Sequence, residues 1–120
     1  MRATGPDLRT RQGVIDRDER RCRRCGAPMV HIHHRRPRGM GGSRRDEAIN
    51  APSNLVCLCT PCHAWIEAHP AESFEDGWRV RRSHDPRAIP LIVGDSEVYL
   101  DDDYQATPVG LLPSGLTPPF

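Results

Sequence analysis

Cys22-Arg-Arg-Cys25 and Cys59-Thr-Pro-Cys62 stand 33 residues apart, and between or against them lie His31-Ile-His33-His34, Asn54 and His63. A tight turn can bring the two thiolates of each Cys-x-x-Cys pair to one ion, and four thiolates close a tetrahedral zinc site that keeps no position for water or substrate. The spacing therefore predicts a structural Zn²⁺ on Cys22, Cys25, Cys59 and Cys62. Such an ion contributes folding free energy on the order of 10 kcal/mol. The fifth cysteine, Cys57, could replace Cys59 as a ligand. Its wider spacing to Cys62 fits a small buried hydrophobe better.

A chain of 120 residues with 37% hydrophobic and 5% aromatic content has room for one domain with a thin core, so a metal-held framework suits it. The opening MRATGPDLRT holds no apolar run of the secretory type, which points to a reducing cytoplasm where thiols bind metal rather than pair as disulfides. No segment approaches the roughly 20 apolar residues of a membrane span. A soluble protein without a membrane partner is expected. The net charge of +1 hides an asymmetry. Residues 1–45 carry thirteen Arg against four acids, and residues 46–120 carry four Arg against twelve. Every basic residue is Arg, whose planar fork matches phosphate, so a polyanion approached from one side is the expected partner. A GC-rich genome would also produce an all-Arg composition, so charge placement carries more weight than charge type.

Along the chain, residues 1–13 read as a flexible basic arm and Val14 to Arg21 as a short helix or turn. Ala27 to His33 reads as a strand, Arg35 to Ser53 as a long Gly/Pro-punctuated loop and Leu55 to Leu58 as a second strand. A helix from Thr60-Pro61 to Pro70 follows, with Pro at its first turn. Beyond it, Phe74 to Arg82 suggests another strand, and Ile89–Val93, Gly94-Asp95 and Glu97–Leu100 a hairpin. Residues 105–120, rich in Pro and Gly, read as an extended or disordered tail. The sum is a small α+β protein: a zinc-stabilised unit over 14–70, an irregular extension with a hairpin over 71–104, and the tail.

Strand alternation puts His31 and His33 on one face if the strand is regular, whereas the adjacent His33 and His34 diverge, so one can bind a metal while the other serves as a base. His63 and Glu67, four apart on a helix, share a side and can ligate one ion.

The string HIHHRRPRGMGG, followed by Asn54-Leu55 and LCTPCH, resembles the HNH endonuclease motif (His-Me finger, ββα-metal fold), in the small phage-type version bracketed by two Cys-x-x-Cys pairs. The resemblance covers about Cys22 to Pro70. It implies a ββα-metal fold and hydrolysis of DNA phosphodiester bonds by one metal and one histidine base. His34 would be the base, Asn54 would tie down its loop, and His33 and His63 would hold the cation. Glu67 stands where family members often have a further histidine; either it is the third ligand, which favours Mg²⁺ or Mn²⁺, or a water takes that place. An all-imidazole set would favour softer ions such as Ni²⁺ or Zn²⁺. Arg35, Arg36 and Arg38 are placed to contact phosphate. The resemblance also implies DNA as partner, a terminase beside it during phage genome packaging, and the host cytoplasm as setting. The competing reading is a non-catalytic, zinc-stabilised DNA-binding or packaging adaptor, which uses the same cysteines and arginines but gives no reason for His33, His34, Asn54 and His63 in that order. His31 reads as structural or solvent-facing, and His69 and His84 as incidental.

Overall fold

Leu55-Val56-Cys57-Leu58 forms strand β2 (Leu55–Leu58), and all four of its side chains are buried because each face of the strand is covered. Successive side chains of a strand point to opposite sides. Val56 and Leu58 enter the main core with Cys22, Cys62, Ile66, Trp78, Leu91 and Leu100. Leu55 and Cys57 meet Val14 on the other side, with Ile32 and Tyr104 against them. The computed structural model describes residues 5–37 and 47–109. Strand β1 (His31–His34) pairs antiparallel with β2, setting His31 opposite Leu58 and His34 opposite Leu55.

Helix α1 (Leu8–Arg17) precedes this ribbon, and α2 (Thr60–Ala68) and α3 (Pro70–Glu75) follow it. A second antiparallel sheet, β3 (Leu91–Val93), β4 (Ser96–Leu100) and β5 (Ala106–Pro108), completes a small α+β arrangement with two small sheets among the described residues. Gly94 takes φ 60° in the two-residue turn between β3 and β4, as a tight hairpin requires. No helix of the described residues is long and apolar enough to cross a membrane.

Four sequence expectations need correction. The arm over 1–13 is helical from Leu8, because Asp7 caps the helix by accepting from Thr10 N–H at 2.8 Å. The first strand begins at His31 rather than Ala27, because the backbone of 27–29 bonds the knuckle instead: Cys22 N–H donates to Ala27 and Met29 N–H to Arg20. The segment 74–82 is no strand. Pro70 starts α3, Gly77 breaks it at φ 80°, and the next backbone bonds run from Arg79 to Ser73 and from Val80 to Arg35 rather than into a ladder. The extension packs into the knuckle's core through Trp78, Leu91, Val98 and Leu100. In the segment read as a tail, Ala106–Pro108 is the edge strand β5; residues 110–120 lie outside the described residues.

Candidate zinc knuckle and histidine cleft

The knuckle closes as its spacing predicts. The sulfur atoms of Cys22, Cys25, Cys59 and Cys62 all lie within 4.8 Å of one another, and Cys25 and Cys59 stand 3.6 Å apart. Four Zn–S bonds of about 2.3 Å place tetrahedral sulfurs roughly 3.8 Å apart, so the group fits a structural zinc. Gly26, at φ 87°, makes the first turn possible and donates to Cys22 carbonyl at 2.8 Å. Burial raises the Cys22 thiol, but the backbone N–H groups of Cys59, Cys25 and Arg24 outweigh it and bring it down to about 7. Arg24 adds an N–H to the Cys62 sulfur at 3.3 Å while its guanidinium lies 4.1 Å over the Trp65 ring. Cys57 stays outside this group. It is fully buried beside Val14, and burial with the nearby Asp18 pushes its thiol up to about 12.

Asp18 carries a structural role with no signal in the sequence. It is 5% exposed, is gripped by Arg17 and Arg23 at 2.7 Å each, and accepts from Cys57 N–H at 3.0 Å, joining the end of α1 to β2. Burial raises its carboxyl, but those partners prevail and hold it below the usual carboxylate range.

His33, His34, His63, Glu67 and Arg79 line one cleft of about 340 Å³. The His63 ring stacks on His31 at 4.8 Å and meets His33 edge-on at 5.5 Å, so β1 alternation and α2 bring the three imidazoles together. His31 is anchored by Thr60 Oγ1 at 3.1 Å, in keeping with a structural part. His33 Nε2 lies 2.8 Å from the Trp78 carbonyl, which can only accept, so the proton sits on Nε2 and Nδ1 keeps its lone pair. His34 Nε2 bonds Asn50 Oδ1 at 2.8 Å, and donation there likewise leaves Nδ1 with the lone pair. Asn54, fully buried, accepts from Arg36 N–H at 2.7 Å and donates to the carbonyls of Arg36 at 3.0 Å and Ile49 at 2.8 Å. The chain just after His34 is thereby clamped on both its donor and its acceptor.

Glu67 is exposed on α2, 3.9 Å from His63 Nε2 and 3.6 Å from Arg79 Nη2. Among the described residues, the group of three or more His, Cys, Asp or Glu side chains drawn together as for one ion is the four cysteines; His33, His63 and Glu67 share the cleft without forming such a group.

Arg35, expected to contact phosphate, belongs to the lining of the cleft, yet it is fully buried and its guanidinium already donates to the carbonyls of Gly77, Ser53, Pro86 and Ile89. Arg36 is half-buried and reaches the Arg82 carbonyl at 3.5 Å, and Arg38 lies outside the described residues. Sequence reasoning missed Asn50 and Trp78, which hold the His34 and His33 rings, and Arg79, which lines the cleft from beyond residue 70. His69, read as incidental, stacks on Trp65 at 4.4 Å.

Burial lowers His33 most; the Trp78 carbonyl opposes this, and His63, His34 and Arg79 add to it, leaving His33 at about 4. Unfolded, the imidazole takes its proton near pH 6.5, so between those values the unfolded chain binds more protons and acid favours unfolding. The stabilisation is complete above pH 6.5 and falls by about 3 kcal/mol as the pH drops to 4, about 1 kcal/mol of it by pH 5.5. Urea unfolding at pH 7.5 and 5.5 should show that extra loss in the native protein and not in His33→Gln. Equal losses would remove His33 as the acid-labile group.

No family model matches the chain, and no solved structure does. The chain is similar to the mitochondrial DNA mismatch repair protein mutS homolog of Sarcophyton glaucum, 32% identical over 63 residues. That stretch is 52% of this chain and 6% of the relative, so the chain spans a small part of the relative's length.

Proposed function

We propose that this protein is a metal-dependent DNA endonuclease of the HNH type, with β1, β2 and α2 as its ββα-metal unit. The observation that carries the reading is His34: a half-buried imidazole at the end of β1, oriented by Asn50, with the chain just after it clamped by Asn54 at Arg36, in the same cleft as His33 and His63. The DNA mismatch repair relative adds support for DNA as the substrate.

His34 Nδ1 would take the proton of the attacking water, while Asn50 fixes the ring's tautomer. His33 Nδ1 and a nitrogen of His63 would hold the cation, with Glu67 the third ligand if its exposed carboxylate leaves Arg79. A bound Mg²⁺ or Mn²⁺ would supply charge stabilisation at the pentacoordinate phosphorus and the leaving 3′-oxygen. The knuckle keeps β1 and α2 in register, because Cys59 caps α2 one turn before His63 and receives His63 N–H at 3.0 Å. A phage packaging role beside a terminase belongs to this proposal as its biological setting.

Supercoiled plasmid incubated with the zinc-loaded protein and Mg²⁺, Mn²⁺ or Ni²⁺ should be nicked or linearised. His34→Ala should lower the rate roughly 10²–10⁴-fold with zinc content and DNA binding retained. A folded, zinc-loaded protein inactive with all three metals would favour the binding or adaptor module.

A further inference from the structure

We propose that Arg79 and Arg81, gathered over the Phe74 ring, grip the phosphodiester backbone of duplex DNA at the edge of the histidine cleft. The inference takes its substrate from the nuclease reading, and its test is read by binding rather than cleavage.

Arg79 lines the histidine cleft and also a neighbouring pocket of about 120 Å³ that it shares with Phe74, Arg81 and His84. The Arg81 guanidinium lies 4.3 Å from the Phe74 ring centroid and that of Arg79 6.0 Å, so one aromatic ring organises two cations. Holding a guanidinium against a ring restricts its freedom without occupying its in-plane N–H donors, the donors that pair with phosphate oxygens. Arg79 Nε is buried with no hydrogen-bond partner among the described residues, and such a donor costs free energy until something accepts from it. Its ion-pair partner is Glu67 at 3.6 Å, a carboxylate 58% exposed, and a pairing this open to water is weak enough for phosphate to replace.

Four other described arginines are engaged elsewhere. Arg17 and Arg23 serve Asp18, Arg35 serves four carbonyls, and Arg87 pairs with Asp85 at 2.8 Å. Arg79 and Arg81 are therefore placed to do what the sequence reading assigned to Arg35. In that arrangement Glu67 keeps Arg79 at the cleft mouth until DNA arrives, and its release from Arg79 frees the carboxylate toward His63.

The experiment measures fluorescence anisotropy of a short labelled duplex with zinc-loaded protein, without added divalent cation, across a salt series. Arg79→Gln/Arg81→Gln should weaken Kd roughly 10–100-fold at low salt and reduce the salt slope by about 2, since each lost phosphate contact removes about 1. Arg87→Gln should leave the slope unchanged. If the double variant loses zinc or fold, the exposed Arg81→Gln decides alone, with an expected slope change of about 1. An unchanged Kd and slope in a folded variant, or no duplex binding by the native protein, would overturn the proposal. Binding that weakens as expected in a protein that fails to cut with Mg²⁺, Mn²⁺ or Ni²⁺ would leave this grip standing and remove the nuclease. Cleavage with unaltered binding in the variant would do the reverse.

Discussion

Cys25→Ala should lose zinc and unfold, and a strong chelator should do the same to the native protein. Cys25 is the informative position because its side chain is exposed, whereas Cys22, Cys59 and Cys62 are 2%, 6% and 5% exposed and belong to the main core. Truncating a buried cysteine mixes a cavity with a lost ligand; at Cys25 little burial is lost, so a fall in stability reports ligation. Zinc binding on the order of 10 kcal/mol is as large as the 5–15 kcal/mol total stability typical of a whole domain. Complete removal should therefore abolish the cooperative melt followed by circular dichroism. Cys57→Ala is the control. It should cost about 1–2 kcal/mol through a small cavity and keep its zinc. Retained zinc and a normal melt in Cys25→Ala would contradict the knuckle.

Arg35→Met should destabilise the folded protein by about 5 kcal/mol in zinc-saturated buffer, the largest single effect expected outside the knuckle. Arg35 is a buried cation satisfied by backbone carbonyls alone, at Gly77, Ser53, Pro86 and Ile89, and burial has already lowered it to about 10, with Arg17 adding to the effect. Methionine fills comparable space but leaves those acceptors without donors. Arg35→Lys should rescue little, since one ammonium with three donors cannot span four carbonyls held by separate segments. Urea unfolding checks both variants. Were Arg35 a phosphate contact, Arg35→Met would instead weaken duplex binding and leave the unfolding midpoint in place, and that outcome would sink the structural assignment.

Arg35 also explains why the extension was hard to read. Its carbonyl partners at Gly77, Pro86 and Ile89 lie 42, 51 and 54 residues away, so residues 77–89 are fixed by a side chain from the histidine ribbon. The alternation of Trp78 and Val80 suggested a strand, but Trp78 is buried in the main core and the Val80 N–H donates to the Arg35 carbonyl rather than into a ladder. The candidate site divides along the same line. His33, His34, Asn54 and His63 were legible as a cluster in the sequence, and Asn54 clamps the chain after His34. Asn50, Trp78 and Arg79 were not, since they carry no local pattern and come to the site through chain reversals.

By itself the sequence determined what short-range geometry controls. Each Cys-x-x-Cys pair turns its two thiolates toward one point, α2 runs from its Pro61 first turn to a stop before Pro70, and Gly94-Asp95 joins a hairpin. These depend on the conformations of a few consecutive residues, which residue type restricts strongly. Only the tertiary structure decided which arginine is buried and which stand at the cleft. Arg35, Arg79 and Arg81 are chemically alike in the sequence, and their different fates follow from the carbonyls that segments distant along the chain supply to Arg35, whereas Arg79 and Arg81 meet the nearby Phe74 ring. A guanidinium goes inside where folding brings enough carbonyls to replace its water, and stays at the surface where it does not.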